Sequence, residues 1–203
     1  GAVPVDAAAG SILAHSVRVP DASIRKGTRL TAEHLDVLRA AGIASVIVAQ
    51  LGDDDVHEDE AARAIAAAIA GDNVEVERPS TGRSNLIATA GGLVVIDRAA
   101  IDRLNRIDPA ITIATVAEYA VAAPGGMIAT VKIIPFAIAR ATLAAVQAAP
   151  AVRVAPFRAQ AIGLTATMLP SLKPSVMDKT RRLLEARLAP AAARYADVTF
   201  DKE

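Results

Sequence analysis

The sequence predicts an α/β protein, and three observations lead to that prediction. Of the 203 residues, 53% are hydrophobic and 22% are charged, which is a composition that folds around a core. Only 2% are aromatic, so Ala, Val, Ile and Leu must build that core. Short β-branched runs alternate with segments of helical periodicity. We therefore expect a strand–helix lead-in over residues 1–78, a β-rich middle subdomain with a flanking helix over 79–150, and a C-terminal βαβ fragment of a parallel sheet over 151–203.

Composition also excludes several classes of function. The 22 basic and 22 acidic residues cancel, which argues against a nucleic-acid partner. The absence of cysteine excludes disulfide scaffolds and thiolate metal sites, and three histidines leave little for a metal cluster, so we predict no metal. No segment has the pattern of a secretory leader or of a membrane span. We expect a cytoplasmic protein without a membrane partner.

The lead-in is predicted to form a strand, a helix and a second strand. The alternation of apolar and polar residues over Ile12–Val19 predicts a half-buried strand. Thr31 is a good N-cap for the next segment, and Gly42 is a typical helix stop, so a helix should lie between them. The β-branched run Ser45–Leu51 predicts a buried strand.

An acidic run follows the lead-in, from Asp53 to Glu60. It lacks the glycine and the terminal glutamate of an EF-hand loop, so we interpret it as solvated acids near a helix N-terminus. The helix should cover Glu58–Ala70 and end at Gly71, with a strand over Asn73–Glu77.

The middle of the chain predicts short strands separated by Gly and Pro. The apolar runs that indicate strands are Leu93–Ile96, Ile111–Thr115 and Ile128–Ile134. Asp97 should cap a short helix, and the alanine-rich segment Ala137–Ala149 predicts a helix that Pro150 ends.

The C-terminal part predicts a right-handed βαβ unit. Its elements are a core strand over Ala161–Thr167, a helix over Met177–Leu188 and a strand over Asp197–Phe200. A parallel sheet needs further strands and helices to cover it, so we expect the chain to end inside this domain. The uncovered sheet edge favours a homodimer.

The loop Leu169–Lys179 is the first candidate binding site. It follows the predicted core strand, where ligands of open α/β sheets bind, and it enters a helix, whose N-terminus favours anions. The loop carries Lys173, Ser175, Asp178 and Lys179, and Thr165 and Thr167 lie at the end of the strand. The two lysines and the hydroxyls suit a phosphate. The alternative is that Ser175 caps the helix and the lysines are merely solvated.

Two further segments carry candidate residues. In Ser80–Asn85, Gly82 permits a tight turn, and Arg83 together with Asn85 is expected to bind an anion. The alternative is a polar connecting turn in which Asn85 bonds to local backbone groups. In Ala129–Phe136, Lys132 interrupts a β-branched run, as expected of a strand lysine whose charged end reaches solvent.

Several segments together resemble a known family. IRKGTRLTAEHLDVLRAAGIASVIV is similar to the lead-in of the molybdopterin-binding domain of molybdopterin molybdotransferases. The segments TGRSNLIATAGGLVVIDRAAIDRLNRID, ATVKIIPF and LPSLKPSVMDKTRRLLEARL resemble a bacterial molybdopterin-binding protein group related to molybdenum-cofactor biosynthesis. The resemblance spans nearly the whole chain as an overall pattern.

The resemblance implies a cytoplasmic molybdopterin-binding module, whose C-terminal part is the start of the family's parallel α/β domain. Its partner would be a small anionic pterin, held at the loop before the last helix. The family's glycine-rich loop and acidic residues are absent here, so transferase activity is not carried over. Two alternatives stay open: part of a nucleotidyl- or molybdate-transferring enzyme whose catalytic half lies outside this chain, or an oligomerisation domain without a ligand.

Overall fold

The chain folds as a mixed α/β protein with 30% helix and 34% strand. The computed structural model describes residues 1–20, 22–159, 161–168, 173–191 and 194–202, and of residues 164–168, 174 and 194–202 it describes the backbone. The predicted fold class is confirmed.

The N-terminal part places one helix beside a small antiparallel sheet. Its elements are β1 (Ala2–Pro4), β2 (Ile12–Leu13), β3 (Val17–Val19), β4 (Ala22–Ile24), α1 (Ala32–Ala40) and β5 (Ser45–Ala49). Strand β5 lies between β1 and β2, and β3 pairs with β4 as a separate hairpin. Leu35 and Leu38 on one side of α1 pack in a buried cluster with Val46 and Val48 of β5.

The middle part contains two antiparallel sheets and the main core. Its elements are β6 (Asp55–His57), α2 (Glu58–Ile69), β7 (Val74–Val76), β8 (Arg83–Ala88), β9 (Gly92–Ile96), α3 (Arg98–Leu104), β10 (Ile111–Thr115), β11 (Val121–Ala122), β12 (Met127–Ile133), β13 (Ala137–Ala139), α4 (Arg140–Ala145) and β14 (Val152–Pro156). One sheet has the order β10-β12-β8-β7 and the other has the order β11-β9-β14.

Helix α2 covers one face of the four-stranded sheet. Its buried residues recur at helical spacing, and they form one cluster with the inward residues of β8, β10 and β12. On these strands buried and more exposed residues alternate, because successive side chains of a strand point to opposite faces. The sheet therefore has a buried face against α2 and an outer polar face.

The C-terminal part is a strand–helix–strand unit. It consists of β15 (Ala161–Met168), α5 (Pro174–Leu188) and β16 (Arg194–Lys202), and the two strands pair in parallel. A parallel pair with a helix between its strands is the expected βαβ arrangement. Strand β14, which precedes this unit, pairs instead with β9 of the middle part. The domain boundaries at residues 78 and 150 stay predictions.

Several predicted elements differ in extent from the observed ones. The Ile12–Val19 strand is two strands, because the backbone turns over residues 14–16. The Ser45–Leu51 strand is half-buried rather than buried, since Ile47 is 49% exposed. The predicted helix Ala137–Ala149 is wrong over its first turn and its end. Its first three residues pair with β6, which overrides the helix preference of alanine, and the helix ends at Ala145.

No helix in the part of the chain that the structure describes is both long enough and apolar enough to cross a bilayer.

Candidate functional site

Three polar segments that are distant in sequence meet at one end of the four-stranded sheet. They are the start of α2 with Glu58 and Asp59, the turn before β8 with Thr81 and Gly82, and the end of β12 with Lys132. We call these five residues together with Arg83 the hairpin site.

A tight turn forms the centre of the hairpin site. Ser80 and Arg83 exchange both backbone hydrogen bonds, at 2.9 and 3.1 Å, around the two central residues. Those residues have positive φ angles, 50° at Thr81 and 71° at Gly82. Positive φ at both centres defines a type I′ turn, which suits Gly and is unfavourable for a β-branched residue. The turn therefore holds Thr81 in a strained conformation.

The surrounding elements bind both residues of the turn. The Gly82 amide donates to Asp59 Oδ1 at 2.6 Å, and the Gly82 carbonyl accepts from the Ile133 amide at 2.7 Å. Lys132 Nζ donates to the Thr81 carbonyl oxygen. Helix α2 and strand β12 thus hold the strained turn in place.

Glu58 is a buried carboxylate at the first residue of α2, with 5% of its surface exposed. The expectation that the acids of this run are solvated is wrong for Glu58. Its carboxylate lies against Gly82, because a Cβ added to that glycine would be 2.7 Å from Glu58 Oε2. Burial raises the pKa of the Glu58 carboxyl, and the charge of Lys132 opposes that shift.

Arg83 and Lys132 lie directly opposite each other on β8 and β12, on the outer face of the sheet. Arg83 is exposed and Lys132 is half-buried. Lys132 is in a strand, as predicted, and its amine binds the turn. Among the described residues, no carboxylate lies within 4.0 Å of either cation as an ion pair. The sheet therefore sets two positive charges side by side with no direct ion pair to a described carboxylate.

The next pair along these strands is Asn85 and Thr130. Asn85 Nδ2 donates to Glu77 Oε2 at 2.7 Å, so its bond goes to a carboxylate and not, as the connecting-turn interpretation expected, to the backbone. Asn85 Oδ1 and Thr130 Oγ1 are buried and have no hydrogen-bond partner among the described residues. The outer polar face thus extends past Arg83 and Lys132 to two side-chain oxygens for which no hydrogen bond is described.

The match found in the comparisons with known proteins lies within the lead-in. A model of a family described as a domain of unknown function (DUF8806) matches residues 2–50. This match runs from β1 through β5 and includes neither the hairpin site nor the βαβ unit. No curated protein and no solved structure matches the chain.

The predicted residues of the C-terminal site lie in the βαβ unit. Lys173 is the N-cap residue of α5, and Ser175 and Lys179 are exposed on its first turns, one helical turn apart. The alternative in which Ser175 caps the helix is wrong, because the N-cap residue is Lys173 and Ser175 lies inside the first turn. Thr165 and Thr167 lie in β15, opposite Thr199 and Asp201 of β16.

The structure describes the predicted site only in part. Residues 169–172 of the predicted loop lie outside the described residues. Arg83 lies on the four-stranded sheet, and no described hydrogen bond or ion pair joins it to Lys173, Ser175 or Lys179. The sequence prediction therefore covers two separate places in the fold.

Sequence reasoning missed the outer polar face, although a signal for it exists. Along β12, Thr130 and Lys132 alternate with Ala129, Val131 and Ile133, which is the pattern of a half-buried strand. The same alternation starts at Arg83 and Asn85 on β8. The strand register, which places Arg83 opposite Lys132, cannot be predicted from these patterns.

Within the described residues, no group of three or more His, Asp or Glu side chains is placed to hold a metal ion.

Proposed function

We propose that the protein is a molybdopterin-binding module of molybdenum-cofactor biosynthesis or handling. In this proposal the phosphate of the pterin lies at the N-terminus of α5. The observation that carries it is the start of α5, where the N-cap residue Lys173 makes no side-chain cap and the first turn has no acidic residue. Pterin binding follows from the resemblance of the segments quoted above, and the anion site follows from the helix.

The start of α5 has the chemistry of an anion site. The first amides of a helix lack partners inside the helix, and the aligned peptide dipoles place partial positive charge there. Pro174 occupies the first turn, where its missing N–H costs no hydrogen bond. Exposed Lys173 and Lys179 add positive charge, and Ser175 adds a hydroxyl.

The position of α5 in the sheet supports the same interpretation. Ligands of open α/β sheets bind beyond the carboxyl ends of parallel strands. Strand β15 ends at Met168, and α5 begins at Pro174. The free amides of α5 therefore follow the strand end by a few residues. Bound molybdopterin would supply the dithiolene that holds the metal, while this chain would hold the phosphate.

An anaerobic titration with molybdopterin, followed by pterin fluorescence, tests the proposal. The double variant Lys173→Gln/Lys179→Gln should bind at least about tenfold more weakly than the wild type, a loss of ~1.4 kcal/mol. The matched control is Arg182→Gln/Arg187→Gln, which removes the same charge further along α5 and should bind as the wild type does. Absence of saturable binding by the wild type, or equal loss in both variants, would contradict the proposal.

The proposal includes a cytoplasmic location and a homodimer. The two strands β15 and β16 form a sheet with open edges in the described residues, and such edges favour pairing with another chain. Light scattering of the purified protein tests the dimer, which a strictly monomeric mass would rule out.

A further inference from the structure

The outer face of the four-stranded sheet carries a row of polar side chains near the hairpin site. Lys132 lies opposite Arg83 on one side and opposite Thr112 of β10 on the other. The neighbouring residues Ser84, Val131 and Ile133 are buried on the inner face. Because side chains alternate between faces, Arg83, Lys132 and Thr112 share the outer one.

Within the described residues, neither cation of this row makes a direct ion pair, although the charge of Lys132 does act on the buried Glu58 carboxyl. Like charges directly opposite each other on neighbouring strands are destabilising. No described carboxylate pairs with Arg83 or Lys132 within 4.0 Å. The carboxylate of Glu77 lies near Asn85 on the same face, where it accepts a hydrogen bond from the side-chain amide of Asn85. An arrangement that is unfavourable by itself becomes favourable when an anion binds between the two cations.

The hydrogen-bond donors of the row are also largely unused. The Arg83 guanidinium makes no hydrogen bond to the described residues. Lys132 Nζ donates to Thr81, which fixes the amine at the end of the sheet and leaves its other N–H groups free. The exposed Thr112 adds a hydroxyl at the opposite side of Lys132.

We propose that this row, the Arg83–Lys132 face, binds the phosphate group of a small ligand. Arg83 supplies a planar set of donors that matches phosphate oxygens, and Lys132 supplies a second positive charge held in place by the turn. A phosphate monoester carries close to two negative charges at neutral pH and neutralises both cations, whereas one carboxylate neutralises only one.

The strained turn explains how the site is held before a ligand arrives. Lys132 reaches the Thr81 carbonyl only because the type I′ turn brings that carbonyl to the end of β12. Unfavourable backbone conformations persist where the surrounding contacts hold them, often at binding sites. Asp59, through its bond to the Gly82 amide, anchors the same turn to α2.

This site is separate from the one proposed at α5, and neither depends on the other. The described contacts of Arg83 and Lys132 involve β8, β10, β12 and the turn. A loss of pterin binding in the Lys173→Gln/Lys179→Gln variant should therefore leave phosphate binding at the Arg83–Lys132 face unchanged.

The test is a titration of the ¹⁵N-labelled full chain with inorganic phosphate at constant ionic strength, followed by amide chemical shifts. We expect saturable shifts at Thr81, Arg83, Lys132 and Thr112. Acetate in a parallel titration should bind at least about tenfold more weakly. Equal binding of acetate, or phosphate shifts confined to the start of α5, would overturn the proposal.

Variants then assign the binding to the two cations. Arg83→Gln should weaken phosphate binding several-fold, and because its side chain has no described bond, the fold should be unchanged. Arg83→Gln/Lys132→Gln should abolish the saturable shifts. The matched control, Arg18→Gln/Arg153→Gln, removes two exposed strand arginines elsewhere and should bind as the wild type does. Equal weakening by the control would show a general charge effect and overturn the site.

Discussion

Gly82 satisfies two separate requirements at one position. Its φ angle of 71° is in the left-handed region, and a Cβ there would lie 2.7 Å from both Glu58 Oε2 and the Ile133 carbonyl oxygen. Real Cβ atoms essentially never make contacts of that length, and one of the two partners is a backbone oxygen, which shifts less easily than the end of a side chain. Any side chain at this position must displace α2 or β12.

The first prediction separates these two requirements. Gly82→Ala should lower the free energy of unfolding by on the order of 3 kcal/mol, since it adds a steric clash to the backbone cost. Gly125→Ala is the control: Gly125 has φ of 81° but nothing within 4 Å of its added Cβ, so only the backbone cost of about 1–2 kcal/mol should appear. Urea unfolding measures both, and equal losses would contradict the clash.

The second prediction concerns the buried carboxyl of Glu58. Burial raises its pKa in the folded state, so the folded protein binds this proton more tightly than the unfolded chain. Its contribution to the free energy of unfolding is therefore highest below the ordinary glutamate pKa and falls as pH rises through the raised value. Glu58→Gln removes that dependence, so the variant should gain stability relative to the wild type as pH rises.

Urea unfolding in steps from about pH 4 to about pH 7 measures this dependence. Glu60→Gln is the matched control, because it removes an exposed carboxylate from the same helical turn. The control should follow the wild type at every pH. A Glu58→Gln variant that does the same would show that burial of this carboxyl has no net effect on stability.

At the scale of single elements, helix starts are the features that short sequence patterns predict well. Thr31 and Asp97 are the N-caps of α1 and α3, as the sequence indicates, because a cap needs only a side-chain oxygen next to free amides. The start of α5 differs, since Ser175, the cap in the alternative interpretation of this segment, lies inside the helix. Pro174 favours the first turn and moves the helix start ahead of the serine.

The third prediction tests the cap of α3. Asp97 Oδ1 accepts from the Ala100 amide at 2.9 Å, so Asp97→Ala should cost about 1 kcal/mol of stability. Asp97→Asn keeps an oxygen acceptor and should cost much less. Asp102→Ala, which removes an exposed carboxylate from the same helix, should cause no loss. Thermal unfolding distinguishes the three, and a loss in Asp102→Ala equal to that in Asp97→Ala would contradict a capping role.

The alanine-rich segment after Phe136 shows where local patterns fail. Alanine favours helix in isolation, yet Ala137–Ala139 pairs with β6 and only Arg140–Ala145 is helical. Helix propensity amounts to a fraction of a kcal/mol per residue, and the backbone hydrogen bonds to β6 together with the burial of Ile138 outweigh it. No local sequence pattern indicates that β6 lies beside this segment.

At the scale of the whole molecule, the described structure has one main core and a thinly covered C-terminal unit. The main cluster joins α2 with buried residues of both sheets of the middle part. In contrast, no described side chain of α5 is buried, and two of its apolar residues are largely exposed, Val176 at 45% and Leu183 at 51%. Stability should therefore differ strongly between these two helices.

The fourth prediction follows from that contrast. Amides in helices with few buried contacts exchange through local opening, whereas those in the core exchange only through larger unfolding. Hydrogen–deuterium exchange followed by mass spectrometry should show α5 exchanging much faster than α2 in the free protein. Molybdopterin, if it binds at the start of α5, should slow exchange there and leave α2 unchanged. Equal protection of both helices in the free protein would contradict the prediction.

The sequence alone predicted the fold class, the centres of most helices and strands, and the caps of α1 and α3. It also indicated the polar segments that are candidates for binding. These features depend on periodicity and on residues close together in the chain. The tertiary structure alone placed Arg83 opposite Lys132, buried Glu58 against Gly82 and left Asn85 Oδ1 without a hydrogen-bond partner among the described residues. Register and packing depend on contacts between residues that are distant in the chain, and one sequence contains no direct record of those contacts.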